Sequence, residues 1–130
     1  MVERNYHSQD NVEPLPALYI ELTRPGDNTP FVKDLLAPLD TGASLTAMPQ
    51  KYKDRANLKP YDYTLIRHGD YYDPRCPKYL VKVTAEECMP RMVEIIFLPT
   101  LEQPVIGRNL MKYWHTKLKG PEQILEITKA

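Results

Sequence analysis

One carboxylate of the sequence stands where an apolar run meets a glycine. Asp40 is followed by Thr41 and Gly42 within LAPLDTGASLTAMPQ, residues 36–50. Gly42 permits a tight turn and the close approach of a ligand, while Thr41 offers a hydroxyl for hydrogen bonding and a branched body for packing. Two carboxylates about 3 Å apart share one proton, so that one acts as a base and the other as an acid. Asp40 is therefore either a turn residue at the end of a strand or one half of such a catalytic pair.

The other residue types that carry chemistry form no recognisable pattern. The histidines at positions 7, 68 and 115 lack metal-ligand spacing, and together with Cys76 and Cys88 they form no zinc motif. A cysteine–histidine protease is the alternative that these residues allow, but neither cysteine lies in a supporting motif. The two cysteines could pair, although reduced thiols in an intracellular protein are the preferred interpretation. We expect no metal and no organic cofactor.

The length and charge of the chain indicate one soluble domain. Its 130 residues are enough for a single domain with one hydrophobic core. The 17 basic and 17 acidic residues cancel, so nothing indicates a surface for nucleic acid or for a membrane. No apolar run approaches the ~20 residues that span a bilayer, and the polar start lacks the apolar segment of a signal peptide. We expect no nucleic-acid or membrane partner, and a cytoplasmic location.

Short apolar and alternating runs predict that β-strands position Asp40. Together with frequent turn residues, these runs are typical of an all-β barrel-like domain with little helix. Residues 1–14 are predicted to be a polar N-terminal extension, and residues 15–130 the folded domain. A short surface helix is predicted within residues 50–58, and a further helix within residues 108–118, with Asn109 as its N-cap. The predicted strands are residues 18–23, 31–40, 44–49, 79–86, 91–99, 104–107 and 123–128.

A second motif changes the interpretation of Asp40. Residues 104–114 read PVIGRNLMKYW, which is an apolar pair, a glycine, then Arg-Asn and a leucine. In combination with Leu-Asp-Thr-Gly-Ala at residues 39–43, this segment resembles the retropepsins, the retroviral-type aspartic proteases, and their cellular and bacterial relatives. Members of that family carry both motifs in this order and at a similar separation. The resemblance covers residues 17–127, and two matching motifs are far more specific than either alone.

The resemblance implies a single-lobe acid-protease barrel with one short C-terminal helix. It also implies an aspartic endopeptidase that hydrolyses peptide bonds of an extended polypeptide. Pepsin-like proteases carry two Asp-Thr-Gly or Asp-Ser-Gly copies in one longer chain, whereas this chain has one, so the dyad would be formed by Asp40 from each subunit of a homodimer. Activity would favour acidic to mildly acidic pH, because one proton must be shared. The alternative is a non-catalytic dimerisation or peptide-binding module on the same fold.

The residues around Asp40 take their roles from the same resemblance. Asp40 would be catalytic, and Thr41 would bond to its copy in the partner subunit and, with Gly42, support the active-site loop. Gly42 and Ala43 would bind substrate from the floor of the cleft. Gly69 would bind it from above, within a flap hairpin over residues 65–79.

The later motif would pack behind the active-site loop as structural support, through Ile106, Gly107, Arg108 and Asn109. Retroviral proteases place an acid directly after Asp-Thr-Gly-Ala, where it pairs with the motif arginine, but this chain has Ser44 there. The partner of Arg108 is therefore either a backbone carbonyl or another acid. Residues 123–128 are either an intersubunit strand or an ordinary strand within one chain.

Overall fold

The computed structural model describes residues 2–9 and 12–129, and the fold is mostly β. A 3₁₀ turn, Gln50–Tyr52, precedes the first of its two four-residue helices. In chain order, the elements of the described residues are β1 (Val2–Asn5), β2 (His7–Gln9), β3 (Val12–Leu15), β4 (Ala17–Thr23), β5 (Val32–Pro38), β6 (Thr46–Pro49), α1 (Lys53–Ala56), β7 (Asp62–His68), β8 (Tyr71–Ala85), β9 (Arg91–Leu98), α2 (Arg108–Met111), β10 (Trp114–Lys119) and β11 (Ile124–Lys129).

The main sheet runs in the order β5-β4-β8-β9-β6, and β7 pairs with the first half of β8. All of its pairs are antiparallel except β6 with β9, which is parallel. Ile20 and Leu22 of β4 and Val81 and Val83 of β8 are almost completely buried. These residues lie two apart along their strands, so they share the inner face of the sheet. The alternation that predicted these strands therefore also identified the core.

A smaller sheet has the order β1-β11-β10. Because β11 pairs with β1 on one side and with β10 on the other, it is an ordinary strand within one chain, which is the second of the two predicted alternatives. Val2 is 3% exposed, so β1 is packed although it belongs to the predicted polar extension. The division between residues 1–14 and 15–130 stays a prediction. Four residues of the chain, Met1, Asp10, Asn11 and Ala130, lie outside the part that the structure describes.

The helices are shorter than the sequence predicts. The short C-terminal helix is confirmed as α2, but the residues from Trp114 onward form β10, because they alternate in exposure and pair with β11. Asn109 is not the N-cap: Gly107 holds that position without a side-chain bond, and Asn109 lies inside the helix. The short helix predicted within residues 50–58 is confirmed as α1. Within the described residues, no helix is long and apolar enough to cross a bilayer.

The hairpin of β7 and β8 lies between the two motifs, where the resemblance implies a flap hairpin over residues 65–79. Its strands pair from Asp62 with Lys78 to His68 with Tyr71. The turn is made by Gly69 and Asp70, and Gly69 has φ of 60°, a left-handed conformation that glycine adopts without steric cost. Ile66, Arg67 and His68, near the tip of this hairpin, line the same cavity as Asp40.

Candidate active site

The loop that carries Asp40 is held between two segments of backbone. On one side Leu39 forms a parallel bridge with Ile106, and on the other Ala47 forms an antiparallel bridge with Val105. The backbone N–H of Asp40 donates to the carbonyl of Ile106 at 2.9 Å. The later motif therefore threads between the ends of β5 and β6 and fixes the position of Asp40 by main-chain hydrogen bonds.

The Asp40 carboxylate is hydrogen-bonded to the backbone of its own loop. Its Oδ1 accepts a hydrogen bond from the N–H of Gly42 at 2.8 Å, and the N–H of Ala43 donates to the Asp40 carbonyl at 3.2 Å. A Cβ at Gly42 would lie 3.1 Å from that Oδ1, which is tight contact, so glycine leaves room for the carboxylate. Asp40, Thr41 and Gly42 are all exposed in the single chain.

Arg108 holds the same loop from behind. Its Nη1 donates to the carbonyl of Thr41 at 2.7 Å, and its backbone N–H donates to the carbonyl of Ala43 at 2.8 Å. The partner of Arg108 is thus a backbone carbonyl, the first of the two predicted alternatives. Ser44 contributes its own carbonyl, which accepts from the N–H of Asn109 at 3.2 Å. The arginine fixes the loop without the acid that retroviral proteases place at this position.

A buried polar network joins the two motifs. Thr46 is fully buried, and both its Oγ1 and its backbone N–H donate to Oδ1 of Asn109, at 2.8 and 2.9 Å. The Thr46 hydroxyl accepts in turn from the N–H of Gly107 at 3.1 Å, and Asn109 Nδ2 donates to the Glu94 carbonyl at 2.7 Å. Sequence reasoning missed this network. Its one local signal was a hydroxyl in the apolar run around Thr46.

Replacing Thr46 with valine is expected to destabilise the fold by about 2 kcal/mol, because the change leaves the buried N–H of Gly107 without an acceptor and removes one bond to Asn109. Urea unfolding would measure the loss. The matched control is Thr29→Val in an exposed loop, which is expected to change the free energy of unfolding by less than about 0.5 kcal/mol. Equal stabilities for the two variants would contradict a structural role of the network.

A cavity of about 240 Å³ opens beside Asp40. Its apolar walls come from β9, from the loop after it and from the inner side of the hairpin. Asp40 is its sole carboxylate among the described residues, and no group of three or more potential metal ligands occurs in this part of the chain. Gly42 and Ala43 line it, whereas Thr41 and Gly69 do not, and the substrate-binding role of Gly42, Ala43 and Gly69 stays a prediction. The lining residues are Asp40, Gly42, Ala43, Ser44, Leu45, Ala47, Ile66, Arg67, His68, Ile96, Leu98, Leu101 and Val105.

The hairpin tip is hydrogen-bonded to the loop that follows β9. His68 Nδ1 and Thr100 Oγ1 lie 2.8 Å apart, and the tautomer of the ring decides which atom donates. His68 directly precedes Gly69 at the turn, and Thr100 lies in the loop that follows β9. The bond therefore links the tip of the hairpin, where Gly69 lies, to the loop after β9.

Replacing Thr100 with valine is expected to raise the opening frequency of the hairpin about two- to tenfold, because one exposed hydrogen bond of the closed form is lost. Amide hydrogen exchange of the cross-strand bonded amides within residues 66–73 would measure this change. The amides of Val81 and Val83, in the buried half of β8, serve as the internal control and should exchange as before. Unchanged exchange at the tip would show that the His68–Thr100 bond does not govern opening.

Comparison with solved structures identifies the fold of the chain. No family model and no curated protein sequence matches the chain. Among solved structures, the chain is similar to a retropepsin-like aspartic protease from Rickettsia conorii, with a TM-score of 0.59, 16% identity, and coverage of 97% of this chain and 89% of that one. It is also similar to the simian foamy virus (mac) protease, with a TM-score of 0.54, 16% identity, and coverage of 75% and 93%.

A third similar structure is the EIAV protease in complex with the inhibitor HBY-793, with a TM-score of 0.52, 18% identity, and coverage of 81% of this chain and 92% of that one. At these identities the likeness concerns the fold. The chain has the single-lobe retropepsin-like fold of the retroviral-type aspartic proteases.

Proposed function

We propose that the protein is an aspartic endopeptidase that cleaves extended polypeptides at a dyad formed by two copies of Asp40. The observation that carries this proposal is the position of Asp40. Its carboxylate lies at a cavity with apolar walls on one side, on a loop that Ile106 and Arg108 hold by short hydrogen bonds. A rigidly held carboxylate beside a cavity that accepts apolar side chains is what peptide hydrolysis by a shared-proton pair requires.

The second carboxylate would come from a partner subunit. Asp40 is the one carboxylate among the described residues that line the cavity, and it is exposed in the single chain together with Thr41 and Gly42. A two-fold axis beside these residues would bring the two Asp40 side chains together and bury them. Thr41 would then face its copy across the axis and support both loops.

The substrate would lie between the two Asp40 loops and the hairpins. Ile66 and His68, on the inner side of the hairpin, reach the same cavity as Ile96 and Leu98 of β9. Opening of the His68–Thr100 contact would admit an extended peptide, and closure would exclude water. Gly42 and Ala43 would then contact the peptide from below and Gly69 from above. Water between the two carboxylates would be activated by the ionised one, while the protonated one polarises the scissile carbonyl.

The experiment that tests this proposal combines assembly and cleavage. Sedimentation across a concentration series is expected to show a dimer, and cleavage of a fluorogenic peptide library should appear in the same concentration range. A pepstatin-like statine inhibitor should block the cleavage. A dimer without any cleavage would favour the alternative, a non-catalytic dimerisation or peptide-binding module. A strict monomer that cleaves peptides would contradict the shared dyad.

A further inference from the structure

The described chain has a second cavity, which is larger than the one beside Asp40. It has a volume of about 500 Å³ and shares no lining residue with the active-site cavity. Arg91, at the start of β9, lines the larger cavity, and Leu98, at the end of β9, lines the smaller one. Seven residue steps along a strand correspond to about 23 Å. The two cavities therefore lie at opposite ends of the fold, and the larger one is a separate candidate site.

Polar and apolar surface contribute about equally to the walls of the larger cavity. Trp114 and Met89 present apolar surface to it, and Val2 and Ile127 form part of its buried base. Burial raises the pKa of the Cys88 thiol, so this side chain is neutral and contributes as a small apolar group. The volume falls within the range of about 300–1,000 Å³ that small-molecule sites occupy. The cavity is thus suited to a small molecule that has both an apolar body and a polar group.

The charge of this cavity comes from Arg91. Its guanidinium stacks on the ring of Tyr113, with Cζ 4.4 Å from the ring centroid, and no carboxylate of the described residues forms a salt bridge with it. The one acid in the lining, Glu87, is already paired with Arg4 at 2.9 Å. Lys112 also lies over Tyr113, with Nζ 5.3 Å from the ring centroid. Arg91 therefore places a positive charge, without a carboxylate partner among the described residues, at one end of the cavity.

The stacking of Arg91 on Tyr113 leaves the edge of the guanidinium free to bind an anion. The face of the guanidinium is occupied by Tyr113, whereas the N–H groups at its edge remain available in a planar fork that matches a carboxylate. A ring that fixes the plane of the fork also lowers the conformational entropy that binding must remove.

We propose that this cavity binds a small organic acid, with its carboxylate on Arg91 and its apolar body against Trp114 and Met89. The site is independent of Asp40 and of the proposed proteolysis. It would be occupied in each chain whether or not the dimer forms, because its lining comes from one chain.

Trp114 is the single tryptophan of the sequence, so its fluorescence reports directly on this cavity. The probes are phenylbutyrate and its neutral amide, which share the apolar body and differ in charge. Phenylbutyrate is expected to change Trp114 fluorescence with saturation and to bind at least about tenfold more tightly than the amide, because it forms a charge-assisted pair. Equal affinities, or no saturable change with either probe, would overturn the proposal.

Arg91→Gln is expected to reduce the affinity for phenylbutyrate to that of the amide. The matched control is Arg75→Gln, because Arg75 stacks on Tyr63 in the same way, with Cζ 4.3 Å from the ring centroid, but lies in the hairpin. Circular dichroism would establish that both variants fold. If Arg91→Gln does not fold, Met89→Glu, at an exposed rim position, serves as the second variant and should weaken phenylbutyrate by repulsion. Undiminished binding by the folded variant would overturn the assignment.

Discussion

Replacing Asp40 with asparagine is expected to lower the rate of peptide cleavage by at least about a thousandfold, because an amide can neither accept the proton of the attacking water nor share a proton with a second carboxylate. The fold should persist. Asparagine has the same shape, and its amide oxygen can accept the hydrogen bond from Gly42 that Oδ1 of Asp40 accepts at 2.8 Å. We expect the free energy of unfolding to change by less than about 0.5 kcal/mol. A fluorogenic peptide assay and urea unfolding would measure the two quantities.

The matched control for this variant is Asp34→Asn. Asp34 is exposed on β5, six residues before Asp40, and has φ of 54°, a conformation that asparagine also tolerates. It does not line the active-site cavity, so cleavage should continue at the wild-type rate. Cleavage that survives Asp40→Asn would remove Asp40 from the mechanism.

Mixing the two proteins tests whether the dyad is shared. When equal amounts of wild-type protein and Asp40→Asn protein exchange subunits at random, about a quarter of the dimers contain two wild-type chains. Cleavage should therefore fall to about half of that given by the same wild-type protein alone. Cleavage that does not change on mixing would show that one chain suffices.

The core strands were predictable because their signal is local. The alternation in residues 18–23 and 91–99 follows from burial of one face of a strand, and the structure has β4 and β9 there. The strand β10 was not predictable in the same way. Trp114 to Lys119 follow a short helix without a glycine or proline to end it, and their pairing with β11 depends on residues that come later in the chain. Tertiary pairing overrode the local preference for helix.

In the candidate site too, residues in contiguous motifs could be predicted, whereas contacts between distant residues could not. Asp40 and the segment from Ile106 to Arg108 were found because both motifs are contiguous in the sequence. The bond between Thr46 and Asn109 joins residues 63 positions apart, and that between His68 and Thr100 joins residues 32 apart. No local pattern encodes such pairs. The carbonyl of Thr41 could be named only as one alternative for Arg108, since any carbonyl of the chain has the same chemistry.

Replacing Gly107 with alanine is expected to be the most destabilising small change near the site, at a cost of about 3 kcal/mol or more. Gly107 has φ of −93° and ψ of 178°, which any residue adopts, so the reason is purely steric. A Cβ there would overlap the backbone carbonyl of Leu45 and lie 2.8 Å from the backbone nitrogen of Thr46. Because both atoms belong to the main chain of the Asp40 loop, the loop would have to shift.

The control for this variant is Gly120→Ala. A Cβ at Gly120 meets nothing within 4 Å, and the residue has no left-handed conformation to preserve. Gly120→Ala should therefore unfold at the same urea concentration as the wild type, while Gly107→Ala should unfold at a much lower one. The displaced loop would carry Asp40 out of alignment, so any Gly107→Ala protein that remains folded should also lose peptide cleavage. A Gly107→Ala protein with wild-type stability would mean that the later motif is not packed against the backbone of the loop, and the account of how Asp40 is positioned would fail with it.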